Sequence, residues 1–123
     1  MLWSKLALLA PFALTTTASD KDKQGVFTDA TWRARLESAV GEVCAVAAAV
    51  KAAVDRERVL ATLESLPGTT RSSMQKDVLA GREPELDAIG GPIVRGGERY
   101  GIDVSISARL MAAIRSKSAS LTS

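Results

Sequence analysis

Hydrophobic residues return every three or four positions along most of this chain, and they hardly ever alternate one by one. From Trp3 to about Thr15 ("WSKLALLAPFALT") the pattern is helical, with Pro11 an expected kink. The following "TTTASDKDKQG" is polar and rich in turn formers, and reads as a loop. "FTDATWRARLESAVGEVCAVAAAV" predicts a long helix capped by Thr28 or Asp29. Its buried stripe is Trp32, Leu36, Val40, Val43, Ala47 and Val50. After Gly41 no glycine or proline appears until Pro67-Gly68. Two arrangements fit that stretch. One has a turn near residues 51–55 and a second helix over 56–66 capped by Asp55. The other is a single continuous helix, able to exchange an element with a partner chain.

Downstream, Ser72 or Ser73 is suited to cap a short helix ending near Gly81. Pro84, at the first helical position, opens another that Gly101 stops. Gly90-Gly91 and Gly96-Gly97 are costly inside a helix and imply close approach by a neighbour. A last helix is expected over 105–117, with Ile106, Leu110, Met111 and Ile114 inward and a frayed tail over 118–123. The pattern predicts a single all-α domain over 1–123, a bundle of about six helices.

Composition narrows what such a domain does. Aromatics are 4% of the 123 residues, which favours closely packed helices over sheets and leaves no stacking platform for bases. The net charge is +2 with both signs interspersed, so no nucleic-acid partner is indicated. The uncharged run after Lys5 ends at Ser19, short of the roughly 20 residues that span a membrane. With no histidine, imidazole metal sites and histidine-based catalysis are excluded. The single Cys44, in "EVCAVAAAV", reads as a buried, inert thiol. No Gly-rich phosphate-binding fingerprint follows a strand, so no dinucleotide site is visible. The opening "MLWSKLALLAPFALTTTAS" fits a secretory leader or an amphipathic first helix, and composition alone leaves both open.

Three segments together resemble the C-terminal helical domain of the ketopantoate reductase (2-dehydropantoate 2-reductase) family. They are "LWSKLALLAPFAL", with its Trp-x-Lys-Leu start, "SSMQKDVLAGREPELDAIGG", and "YGIDVSISARL" before the final helix. That resemblance favours the helix reading, with residues 1–18 retained and packed. It implies a cytoplasmic, homodimeric enzyme of the 6-phosphogluconate-dehydrogenase-like group, in which a separate Rossmann domain binds NADPH and the helical domain closes the cleft over a small 2-oxo acid. By resemblance, Lys5 polarises or protonates the keto oxygen, Glu85 hydrogen-bonds a substrate hydroxyl and Ser73 holds the carboxylate. Several positions depart from the family pattern. Leu9 and Ala13 replace two asparagines and make the cleft more apolar, and Thr70 replaces a third. Ser105 replaces a proline, and Lys51 replaces the glycine that ends the long helix, removing a helix stop.

These 123 residues are thus expected to be the substrate-binding and dimerisation half of such a reductase, excised and inactive alone, with no cofactor of their own. A competing expectation is an engineered or stand-alone self-associating helical module. A third reading rests on Lys51 in "AVAAAVKAAV": a buried amine there could form Schiff bases, as a designed retro-aldol catalyst requires. The simpler account of Lys51 is a solvent-facing residue whose stem covers apolar surface.

Overall fold

The structure, a computed structural model, describes residues 2–122, with side chains through Ala119. Among these residues the chain forms seven helices and no strand: α1 (Trp3–Ser19), α2 (Lys23–Thr28), α3 (Ala30–Ala49), α4 (Arg56–Glu64), α5 (Ser73–Leu79), α6 (Leu86–Tyr100) and α7 (Ser105–Thr122). The all-α expectation holds, with one helix more than expected.

The first helix is the hub, and it packs against all six others. Its apolar positions Leu6, Ala7, Ala10 and Leu14 are buried, so the secretory reading would remove the centre of the core. The helix also runs four residues beyond Thr15, through a segment expected to be loop. The hydroxyls explain this. Thr15, Thr16 and Ser19 each donate to the carbonyl four residues back, at 2.7 Å, so the polar side chains are satisfied within the helix. Lys117 of α7 then donates to the Thr17 carbonyl at 3.0 Å, occupying an acceptor that a helix end leaves open. Asp20, in the left-handed conformation at φ 57°, terminates the helix. The rest of the expected loop is not wholly irregular either. Asp22 accepts from Gly25 N at 2.9 Å and starts α2.

Asp29 caps α3, accepting from the backbone of Thr31 and Trp32. Leu36, Val40, Val43 and Ala47 are buried as the stripe predicts, while Trp32 and Val50 are half-buried. Ala39 and Val46 are buried as well, because α3 meets α1, α6 and α7 on different sides.

Of the two arrangements open for the next segment, the two-helix one is found. Lys51 N donates to Ala48 O at 3.0 Å and Ala52 N to Ala47 O at 2.8 Å, a Schellman closure with Lys51 at φ 62°. The helix stop therefore survives without the glycine expected to be needed for it. The hinge is not straightened as the swapped version requires. Asp55 caps α4, accepting from Glu57 N and Arg58 N. Cys44 is half-buried rather than buried. Burial pushes its thiol up, with Arg56 partly opposing, consistent with an unreactive sulfur.

Two further boundaries differ from expectation, and the end of α5 near Gly81 agrees with it. Helix α6 begins at Leu86, two residues after Pro84. Helix α7 continues to Thr122, past 117 and through most of the segment expected to fray. Helix α5 ends at Leu79, and Gly81, at φ 74°, follows its last turn. Ile106 is half-buried, whereas Leu110, Met111 and Ile114 are buried. The glycines of α6 behave as expected of close contacts. A Cβ at Gly96 would collide with Val46 of α3, and one at Gly90 would lie 2.5 Å from the Met111 sulfur of α7.

Candidate functional site

The starts of α5 and α6 converge on one cleft of about 510 Å³, walled on the other side by α1 and α4. Its position follows from a chain of hydroxyls. Thr16 spends its proton on Phe12 O at 2.7 Å, so at the 2.7 Å Thr16–Ser72 contact the Ser72 hydroxyl donates. Ser72 in turn accepts from Gln75 N at 3.1 Å and caps α5. Both serine functions are thereby used, and α5 is pinned to α1. The preceding loop is held from below, where Lys23 N donates to Thr70 O at 2.8 Å and Gln24 N to Gly68 O at 2.9 Å. Gln75, buried behind the cap, donates to Asp20 and to the Lys21 carbonyl, both at 3.2 Å.

This scaffold presents Thr70, Arg71 and Ser73 on one rim of the cleft, with Ser73 and Arg71 exposed. Glu85, the exposed residue that opens α6, lines the same cleft. Ser73 and Glu85, the two residues singled out by resemblance, thus line the same cleft. Lys5 is not among the lining residues. It is exposed one helical turn before Leu9, which does line the cleft. Lys51 is exposed at the end of α3 and lines no part of the cleft, and it lacks the burial that an amine catalyst there would need. Asp87 pairs with Arg95 at 3.1 Å on the surface.

Two features of the site escaped the sequence. Among the described residues Arg71 is the one cation lining the cleft, and only its place two residues before Ser73 could have flagged it. The wall formed by Leu63 of α4 and Leu66 just after it belongs to none of the three resembling segments and is defined by packing.

Residues 1–118 match the family model described as ketopantoate reductase PanE/ApbA C terminal. The chain belongs to this family. Solved structures agree on the fold of this ketopantoate reductase C-terminal domain. D-mandelate dehydrogenase with NADH and anilino(oxo)acetate is 27% identical, with a TM-score of 0.89 over 98% of this chain and 41% of its own. A PanE/ApbA family ketopantoate reductase from Ralstonia eutropha JMP134 is 24% identical, with a TM-score of 0.87 over 98% of this chain and 41% of its own. A dimeric ketopantoate reductase from Staphylococcus aureus is 17% identical, with a TM-score of 0.86 over 97% of this chain and 43% of its own. The chain thus spans about two fifths of the structures it matches. None of the curated proteins matches it significantly.

The described residues include no strand, and the space at Gly90, Gly96 and Gly97 of α6 is occupied by Met111, Val46 and Val104. No group of three or more metal-ligating side chains occurs among them, and no helix is long and apolar enough to cross a membrane.

Proposed function

We propose that this domain is the substrate-binding half of an NAD(P)H-dependent 2-oxo acid oxidoreductase, inactive alone because the hydride donor is held by a separate domain. The observation that supports this reading is that Ser73 and Glu85 line one cleft, with the exposed Lys5 one helical turn before its lining residue Leu9. Ser73 is a hydroxyl donor for the substrate carboxylate, and Glu85 is an acceptor for a substrate hydroxyl. The Lys5 ammonium stabilises the alkoxide that develops at the keto oxygen and gives it a proton, a task suited to a mobile, exposed cation. The exposed Leu2, Leu9 and Leu79 supply apolar surface for a second domain or a second copy, and a homodimer is the assembly we favour.

Two measurements test the reading. In an amide NMR titration of the purified chain, a 2-oxo acid is expected to shift Ser73 and Glu85, and S73A to weaken that response. In a fluorescence titration, NADPH is expected to show no saturable binding. Micromolar NADPH affinity would show that the half-enzyme account is wrong. Light scattering checks the dimer, and a strictly monomeric species would remove it.

A further inference from the structure

The cleft is divided by polarity, and the division is sharper than a general 2-oxo acid site requires. Its α1 and α4 walls present Leu8, Leu9, Phe12, Ala13, Leu63 and Leu66. The polar residue on those walls, Thr62, has its hydroxyl committed to the Arg58 carbonyl at 2.9 Å. Ser72, deeper in, is likewise engaged by Thr16 and Gln75. Hydrogen-bonding capacity for a ligand is therefore concentrated on the opposite rim, at Thr70, Arg71, Ser73, Asp77 and Glu85.

Of the charged residues that line the cleft, Asp77 is paired with Arg82 at 3.0 Å, which leaves Glu85 and the Arg71 guanidinium. Arg71 meets Asp20 at 3.5 Å, and both side chains are about two-fifths exposed, at 40% and 46%. Such a long, solvated pair contributes little, so a ligand carboxylate can replace Asp20 as its partner at small cost. Ser73, two residues on, adds a hydroxyl beside the guanidinium.

Building on the reading above, we infer that the cleft takes 2-oxo acids with a bulky apolar side chain, the carboxylate on Arg71 and Ser73 and the side chain against the α1–α4 wall. A hydroxyl on that side chain would be buried against Leu9, Ala13 and Leu63 with no partner, and burying an unpaired hydroxyl is unfavourable. Glu85 then serves the C2 hydroxyl formed by reduction rather than a second hydroxyl on the substrate.

The test compares trimethylpyruvate with the same acid bearing one hydroxyl on a methyl group, each titrated into the full chain and followed by amide NMR. The apolar acid is expected to bind about tenfold more tightly or better. Leu9→Asn, at a position 47% exposed and therefore safe for folding, is expected to bring the ratio near unity. Arg71→Gln is expected to weaken both acids about tenfold while leaving their ratio unchanged. Equal or tighter binding of the hydroxylated acid overturns this inference and leaves the 2-oxo acid reading intact. Failure of every 2-oxo acid to shift the cleft overturns both. Unaltered affinity in Arg71→Gln overturns the proposed orientation.

Discussion

Glu42 on α3 closes the N-terminus of α7 from across the fold, with its carboxylate receiving both the backbone N–H of Ser107 at 2.8 Å and its hydroxyl at 2.6 Å. The second oxygen takes Ile106 N at 3.0 Å, and Asp103 takes Ser105 N at 2.9 Å. The open donors of the first turn are thereby satisfied by two acids, one local and one 65 residues away.

Removing that clamp should be costly. Glu42→Ala is expected to destabilise the fold by about 2 kcal/mol, and Ser107→Ala by about 1 kcal/mol. Because the two share one interaction, the double variant should lose less than the sum. Urea unfolding of the four proteins checks this, and strict additivity would mean that the contact carries no energy.

Lys51 should be improvable. It holds a left-handed conformation at φ 62° while forming both Schellman hydrogen bonds, and an L-residue pays about 1–2 kcal/mol there. Lys51→Gly is expected to raise the midpoint of thermal unfolding by a few degrees, on the order of 4 °C. A lower midpoint would mean that the lysine side chain itself stabilises the turn.

Gly96 should resist enlargement. A methyl group there meets Val46, which is fully buried, so Gly96→Ala is expected to cost about 1–3 kcal/mol. Val46→Ala makes room for the new methyl. The double variant should therefore be more stable than the two single losses predict, which chemical denaturation can measure.

Asp103 makes stability depend on acid. The hydrogen bonds from Ser105, backbone first and then side chain, hold its carboxyl below the usual aspartate value. A carboxylate lowered on folding contributes its full stabilisation above the unfolded value, about 3.9, and loses it as pH falls through the lower folded value. Asp103→Asn is therefore expected to flatten the acid limb of the unfolding curve below about pH 4 and to leave the neutral region parallel to wild type. An unchanged acid limb would show that the capping bond does not discriminate between protonation states.

What could be read from the sequence is what local chemistry determines. Asp29 and Asp55 cap their helices, Gly101 ends α6 at φ 65°, and Leu36 to Ala47 form a stripe, all within a few residues. The end of α1 was hidden because Thr15 and Thr16 look like loop formers until their hydroxyls fold back on carbonyls and α5 covers them. The stop at Lys51 stood open as one of two arrangements, because no glycine or proline there forces a break, and α4 packs back on α3 beyond it. In the site, Ser73 and Glu85 were named from the family resemblance, and the short connection between α5 and α6 lets both line one cleft. The Leu63–Leu66 wall and the Glu42 clamp were not readable, since each depends on helices far apart in the chain.

The cleft shares α1 with the core, and this sorts its positions by how freely they can vary over generations. Ala13 and Phe12 face both ways and are nearly buried, at 7% each, so a change in ligand preference at either would carry a folding penalty. Leu9 alone on that helix lines the cleft while nearly half exposed. It is the point where new substrates can be sampled by single mutation without endangering the scaffold, and lineages that switch ligand should change here first.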